Sequence, residues 1–210
     1  VGRLAHRRQR LLPTVRAYEM LTEVFYFRHQ PLPSMHAAFR ALNVAEAAGP
    51  SPELARCYAS IGAIVGFIPL HGAANAYLQR ALDVAEATGN LSARTYVEVA
   101  AGFYYAGVGD WTRAGRMFDH VLQTSERLGE HRRWDDAMSN LAPIHCYQGE
   151  FTSGVGLAAA LYAAAHIPSH RAEGLQWQAK GLYYMGRFKE ALACVDELHV
   201  VLNQGGEDMD

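Results

Sequence analysis

The sequence predicts an all-α chain of about five stacked helical hairpins, and three observations support this class. Residues 41–49 (ALNVAEAAG) and 81–89 (ALDVAEATG) are identical at seven of nine positions and lie 40 residues apart. Apolar residues recur at three- and four-residue steps over 91–108 and 112–128, which is the spacing of an amphipathic helix. No stretch shows the sustained two-residue alternation of a strand. Because a 40-residue repeat holds two helices, stacked copies should bury a continuous core as a solenoid.

Glycine and proline mark where the predicted helices end and begin. Gly49, Gly89 and Gly129 each follow a helical run at 40-residue steps, where a left-handed residue terminates a helix. Ser51 followed by Pro52 supplies an N-cap and a first-turn proline. These positions are typical of the boundary between one hairpin and the next.

A three-residue turn pattern also repeats, between the two helices of each of the later hairpins. Residues 109–111 (GDW) recur as 149–151 (GEF) and again as 186–188 (GRF), the last copy arriving three residues early. We therefore expect the first helix of the last hairpin, or the loop before it, to be shorter. Pro143 lies within a predicted helix and indicates a kink or an early break.

These marks divide the chain into one solenoid over residues 1–203 and a polar, disordered tail over 204–210. The predicted repeats lie near 13–49, 50–89, 90–129, 130–169 and 170–203.

The third repeat resembles the tetratricopeptide repeat (TPR). It has Gly102 and Tyr105, then the turn at 109–111, then Ala114 and Phe118. This order is similar to the TPR pattern of a small residue, an aromatic residue, a Gly-Asp-aromatic turn, an alanine and an aromatic residue. Small residues allow the two helices of a hairpin to approach closely. The resemblance implies a right-handed superhelical solenoid that binds protein through a concave groove lined by the first helix of each hairpin.

A narrower resemblance suggests a parent protein. Residues 41–89 and 182–192 (LYYMGRFKEAL) resemble the C-terminal repeat region of bacterial class III adenylate/guanylate cyclases that also carry an AAA-type ATPase domain. The chain begins without Met, so the resemblance implies that these domains lie upstream and that this piece regulates or scaffolds them. Neither the cyclase metal-binding carboxylates nor a GxxxxGK[ST] loop occurs here, so we expect no catalytic residues and no cofactor.

Charge and hydropathy argue against nucleic acid and membranes as partners, which favours a protein partner. The formal net charge of −2 gives no general attraction to nucleic acid or an anionic membrane. No apolar run approaches the length of about 20 residues that spans a bilayer. The three cysteines, Cys57, Cys146 and Cys194, lack metal or redox spacing and fit reduced thiols in a cytoplasmic protein.

The predicted binding surface consists of aromatic residues near the ends of the first helices, together with one lysine. Aromatic side chains anchor interfaces at low entropic cost, although we expect about half of these to be buried between hairpins. Tyr183 and Tyr184, near the C-terminal end, are the stronger candidates. The full set is Tyr26, Phe27, Phe67, Phe103, Tyr147, Lys180, Tyr183 and Tyr184.

Charged residues on the same helices could orient a peptide, but most are expected to be solvated. This set is Arg16, Glu19, Glu23, Arg56, Asp136 and Glu173, in addition to Lys180.

No metal site is predicted. His166 and His170 have the four-residue spacing of two helical zinc ligands, but Pro168 ends the predicted helix between them, so an inter-repeat loop is the favoured interpretation. Asp135 and Asp136 lack the second acidic motif that phosphate or prenyl chemistry needs.

Three functions stay open. The first is an interaction module that binds a partner, or its own upstream domains. The second is a sensor of a small ligand or peptide, which a deep pocket with convergent polar groups would favour. The third is a homodimer formed through an end face that includes Val200, Val201 and Leu202.

Overall fold

A computed structural model describes the backbone of residues 2–207 and the side chains of residues 8–203. Over these residues the chain forms ten α-helices and no strand, which confirms the all-α class. The helices are α1 (Gly2–Phe27), α2 (Pro31–Ala48), α3 (Pro52–Phe67), α4 (His71–Thr88), α5 (Leu91–Gly107), α6 (Trp111–Leu128), α7 (His131–Tyr147), α8 (Phe151–Ala164), α9 (Pro168–Tyr184) and α10 (Phe188–Glu207).

The helices pack in the order of the chain. Within hairpins, α1 packs on α2, α3 on α4, α7 on α8, and α9 on α10; α8 also packs on α9, which begins the next hairpin. The chain divides into two compact units, one ending at Tyr104 and one beginning at Tyr105, and α5 contributes to both. The single solenoid over 1–203 stays a prediction.

Small residues line the contact between α3 and α4 in the first compact unit. Ala55 and Ala59 of α3 cluster with Ala81 and Ala85 of α4, and all four are buried. At Gly62 the helices are so close that an added Cβ would lie 2.7 Å from the side chain of Leu78. The predicted role of small residues in allowing close helix contact is therefore confirmed for the hairpin α3–α4.

The second compact unit buries large side chains as well as small ones. Phe118 and Val121 of α6 and Leu161 of α8 are fully buried. In the hairpin α7–α8, a Cβ at Gly154 would lie 2.6 Å from the sulfur of Cys146. Both hairpins therefore have a glycine at a close contact between their two helices, on the first helix in α3–α4 and on the second helix in α7–α8.

The predicted left-handed helix ends are confirmed at two of the three glycines. Gly89 and Gly129 adopt the left-handed conformation, with φ of 61° and 67°. Gly49 also follows its helix with a positive φ of 85°, but its ψ of −176° lies outside the left-handed helical region. The Ser51 hydroxyl accepts a hydrogen bond from the Leu54 N–H at 3.1 Å, as expected for an N-cap.

The last turn arrives three residues early because α8 is four residues shorter than α6, while the loop after α8 is one residue longer than the loop after α6. The predicted location of the shortening was therefore wrong. The helix α8 has 14 residues where α6 has 18, whereas α9 has 17 like α5 and α7. Pro168 separates α8 from α9, because proline disfavours the helical conformation at the residue before it, and Ile167 has an extended backbone. The backbone is also extended at Ala165, where α8 ends.

Three other boundaries differ from expectation. The helix α7 is not broken at Pro143 but continues to Tyr147, since Leu141, Ala142 and Ile144 are buried on both sides of the proline. The helix α1 already begins at Gly2, with Pro13 inside it. At the other end α10 continues over residues 204–207, which the sequence assigned to the tail, and residues 208–210 lie outside the described part of the chain.

Candidate functional site

The seven aromatic residues of the predicted binding surface all lie on first helices and are all exposed. Their exposed fractions run from 45% to 68%. The expectation that about half would be buried is therefore wrong. Four of the seven lie at the very end of a helix: Phe27, Phe67, Tyr147 and Tyr184 are the last residues of α1, α3, α7 and α9. A side chain at a helix end has fewer neighbours from its own helix to cover it.

In the first compact unit these rings form two separate pairs. Tyr26 and Phe27 meet edge to face with centroids 5.5 Å apart, and Phe67 and Phe103 lie 5.7 Å apart. Such pairs favour a fixed ring orientation.

In the second compact unit three rings contact one another in a row, and two of them lie beside a cation. Trp111, at the start of α6, stacks on Tyr147 with centroids 6.5 Å apart and planes 16° apart. Tyr147 meets Trp177 of α9 edge to face at 5.5 Å. The Lys180 ammonium lies 4.4 Å from the Trp177 ring centre and 5.3 Å from that of Tyr147. We call these four residues the aromatic surface.

Cation–π attraction holds the Lys180 ammonium against the rings and contributes about 0.5–1 kcal/mol at an exposed site. Lys180 is half-buried, and its charge stands beside a large apolar area. This arrangement can bind a carboxylate and an adjacent apolar side chain together.

A second aromatic group lies at the C-terminal hairpin. Phe151 stacks on Tyr184 at 5.3 Å, and Tyr183 contacts both Tyr184 and Phe188 at 5.6 Å. Next to it is an open, apolar concavity of about 380 Å³. The concavity is lined by Ala179, Lys180, Tyr183, Tyr184, Phe188, Ala191, Leu192 and Val195.

Several charged residues predicted to be solvated instead belong to a network on α1 and α3. Glu53 is only 4% exposed and accepts hydrogen bonds from the Arg16 guanidinium at 2.8 and 3.0 Å. Arg56 binds Glu19 with two hydrogen bonds of 3.0 Å. Burial opposes the ionisation of Glu53, but the Arg16 hydrogen bonds and the Arg56 charge outweigh it and hold the pKa of Glu53 below its ordinary value. These groups stabilise α1 against α3, and a peptide could use them only by breaking that network.

Asp136 and Glu173 are also only partly exposed. Asp136 pairs with Arg133 at 2.6 Å. Burial raises the pKa of Glu173, although the His170 charge and a hydrogen bond with Ser139 oppose the shift.

Asp135 has a structural role that the sequence did not predict. It is fully buried, and its Oδ2 accepts the N–H groups of His166 and Ile167 at 2.9 and 3.3 Å. His166 lies in the loop between α8 and α9, as expected, and its ring nitrogen is 3.5 Å from Asp135 Oδ1. His170 lies in the first turn of α9, 3.9 Å from Oδ2. Asp135 thus fastens the short α8–α9 connection to α7.

Among the described residues, no group of His, Cys, Asp and Glu is arranged to hold a metal ion. In the same part of the chain no helix is both long and apolar enough to cross a bilayer.

Solved structures share this fold at low sequence identity. BtubC (BKLC) from P. vanneervenii superposes with a TM-score of 0.75 at 14% identity, covering 97% of this chain and 88% of that one. PilF of Pseudomonas aeruginosa superposes with a TM-score of 0.61 at 15% sequence identity, covering 94% of this chain and 78% of PilF. NprR, solved in complex with its cognate peptide NprX, superposes with a TM-score of 0.68 at 12% sequence identity, covering 90% of this chain but only 55% of NprR. All three are TPR-like helical-repeat proteins, so the TPR-like fold is established.

No model of a known protein family matches the sequence, and no curated protein sequence matches it. At these identities the structural likeness shows the fold alone.

The sequence did not identify Trp177 as part of the surface. The sequence feature that could have identified Trp177 is its spacing from Lys180, since residues three apart share one face of a helix. Trp111 was recognised only as a turn residue, although it stacks on Tyr147.

Proposed function

We propose that this chain is a non-catalytic interaction module that binds a peptide segment of a partner on the aromatic surface. The observation that carries the proposal is the Lys180 ammonium placed against Trp177 and Tyr147. Both helices that supply these residues, α7 and α9, are first helices of hairpins, which is where the resemblance to TPR domains places the binding surface. Exposed aromatic residues beside a cation are typical anchors of an interface.

The geometry defines the chemistry of the bound segment. A carboxylate can pair with Lys180, and an apolar side chain next to it can cover the rings of Tyr147 and Trp177. The structure of NprR with its peptide NprX supports the proposal in a general way, because it is a TPR-like protein solved with a peptide.

We propose further that the module works within a larger cytoplasmic signalling protein of a bacterium. The segment it binds would then belong to another protein or to cyclase and ATPase domains of its own polypeptide. The similarity of residues 41–89 and 182–192 to the repeat region of such cyclases supports this context.

A small-ligand sensor receives less support. The concavity at α9 and α10 is open, and Lys180 is its one charged lining residue, so it lacks the convergent polar groups that hold a small effector.

Peptide selection tests the proposal. A display library is selected on the immobilised chain, and the affinity of a recovered peptide is measured by fluorescence anisotropy. We expect acidic–apolar peptides, and we expect Tyr147→Ala/Lys180→Ala to weaken binding by at least about tenfold, because removing an interface anchor costs about 2 kcal/mol or more.

Leu128→Ala is the matched control, since Leu128 is also exposed but ends the second helix α6. Its affinity should equal that of the unaltered chain. Equal affinity of the double variant, or failure to recover any peptide, would rule out the aromatic surface as the binding site.

A further inference from the structure

The first helices α7 and α9 lie side by side, and their contacts follow one another in order along both helices. The His170 ring is 3.6 Å from a carboxylate oxygen of Asp136, and next along, Glu173 meets the Ser139 hydroxyl. The rings and the cation of the aromatic surface then follow. On α9 the residues that contact α7 share one face of the helix, because they recur at three- and four-residue steps, at positions 170, 173, 177 and 180. Glu173 therefore lies in line with the aromatic surface.

The carboxylate of Glu173 has no lysine or arginine to neutralise it within the described part of the chain. It is half-buried, and burial raises the pKa of Glu173. Its neighbour on α7 is the uncharged hydroxyl of Ser139. The His170 ring is 3.9 and 3.6 Å from Asp135 and Asp136, so any charge on it is already matched by carboxylates. Because a charged donor forms the strongest hydrogen bonds with a carboxylate, Glu173 is suited to bind a cation from another molecule.

The first compact unit has an ion pair at the corresponding place. Glu19 and Ser139 each lie eight residues before the last residue of their helices, α1 and α7. Arg56 and Glu173 each lie eleven residues before the last residue of theirs, α3 and α9. In the first compact unit the Arg56 guanidinium donates two hydrogen bonds of 3.0 Å to the Glu19 carboxylate. This place between two neighbouring first helices can therefore hold a carboxylate and a cation together, and between α7 and α9 only the carboxylate is present.

We propose that Glu173 binds a lysine or arginine side chain of the same peptide segment whose carboxylate binds Lys180. The ligand is then a segment in which an apolar residue lies between an acidic and a basic one. This inference rests on the proposed binding of a peptide at the aromatic surface.

The spacing of the two charges on α9 sets the spacing in the peptide. Lys180 is seven positions after Glu173, so at about 1.5 Å per residue the two lie about 10.5 Å apart along the helix. An extended peptide rises about 3.3 Å per residue, so its basic and acidic residues should be about three positions apart. Trp177 lies between the two charges on α9, which is where the apolar side chain of the peptide would pack.

Peptide selection on two chains side by side tests this inference. The display library is selected on the unaltered chain and on Glu173→Gln at about pH 8, where a glutamate carboxyl is ionised. Peptides from the unaltered chain should be enriched in lysine or arginine about three positions from the acidic residue. Peptides from Glu173→Gln should lose this enrichment and still contain acidic and apolar residues. Glu126→Gln is the matched control, since it alters an exposed carboxylate on the second helix α6, and it should select the same peptides as the unaltered chain.

A double-substitution cycle measures the contact itself. Replacing the basic residue of a recovered peptide by glutamine should raise its Kd for the unaltered chain about tenfold, because a hydrogen bond between charged groups is lost. Glu173→Gln should raise the Kd of the original peptide by a similar factor. The two changes together should add less than about twofold to either one alone, since each removes the same contact. Fluorescence anisotropy measures each Kd.

Circular dichroism checks that Glu173→Gln keeps its helix content. If it does not, Ser139→Glu/Glu173→Arg takes its place with the same expected loss of basic residues from the selected peptides. This double variant copies the Glu19–Arg56 pair of the first compact unit, so its cation is supplied by the chain itself.

Recovery of acidic–apolar peptides without an enriched basic residue would overturn this inference and leave peptide binding at the aromatic surface standing. Equal Kd values for the unaltered chain with and without the basic residue of the peptide would do the same. Failure to recover any peptide would overturn the proposed function, and this inference with it.

Discussion

Replacing Asp135 should loosen the C-terminal hairpin. Its buried carboxylate accepts the backbone N–H groups of His166 and Ile167, which are 31 and 32 residues away in the chain. In Asp135→Ala, both N–H groups lose their partner while α7 keeps its position. The short loop then has no polar attachment to α7 at this point.

The size of the effect follows from these two bonds. A hydrogen bond to a charged group contributes about 1.5–3 kcal/mol, and part of the loss is recovered because Asp135 Oδ1 is itself buried without a hydrogen-bond partner among the described residues. We therefore expect Asp135→Ala to lower the free energy of unfolding by about 3 kcal/mol. For a chain of this length, that lowers the melting temperature by about 6–12 °C.

Asp135→Asn is the informative control. Its amide oxygen can still accept hydrogen bonds from both N–H groups. The substitution should therefore lower the free energy of unfolding by only about 1 kcal/mol, because the negative charge beside His166 and His170 is lost.

Urea unfolding followed by circular dichroism measures the free energies, and hydrogen exchange by mass spectrometry locates the change. Exchange should quicken in residues 165–184. The reasoning is refuted if Asp135→Ala stays within about 0.5 kcal/mol of the unaltered chain, the range of an ordinary surface substitution. It is also refuted if the Asn variant is destabilised as much as the Ala variant.

Three further predictions concern packing, pH and thiol reactivity. Gly174→Ala should destabilise the chain by about 1–3 kcal/mol in thermal unfolding, because its Cβ would meet the backbone of α8, whereas Gly156→Ala in open space should be neutral or stabilising. Since the pKa of Glu53 in the folded chain lies below its ordinary value of 4.5, ionised Glu53 stabilises the chain above pH 4.5, and this stabilisation is lost as the pH falls through the folded pKa. In Glu53→Gln, the free energy of unfolding measured in urea should therefore fall less steeply over the same acidic range. Burial raises the pKa of both the Cys57 and the Cys194 thiols, but Cys57 is buried and Cys194 only half-buried, so Cys194 should react first with a thiol reagent and Cys57 only after unfolding.

Local sequence signals predicted the hairpins and their caps. Gly89, Gly129 and Ser51 behave as expected because the structure they impose involves only a few neighbouring residues. The start of α9 could also have been placed, since Pro168 disfavours a helical conformation at Ile167 whatever the rest of the chain does.

Exposure and long-range contacts were harder to predict. Helical periodicity shows that Tyr147 lies on a first helix, but not that its side chain is exposed. The role of Asp135 depends on a loop more than 30 residues away, and an isolated Asp-Asp pair gives no sign of such a contact. Arg16 and Glu53 likewise lie 37 residues apart, so their pairing depends on the packing of α1 against α3.

The indole N–H resonances give the most direct test of the aromatic surface. The chain has three tryptophans, and two of them, Trp111 and Trp177, belong to that surface, whereas Trp134 lies near the start of α7. Titration of a selected peptide into the ¹⁵N-labelled chain, with signals assigned by Trp→Phe substitution, should shift the Trp177 and Trp111 signals and leave Trp134 in place. A saturating peptide that shifts only Trp134, or none of the three, would contradict peptide binding at the aromatic surface.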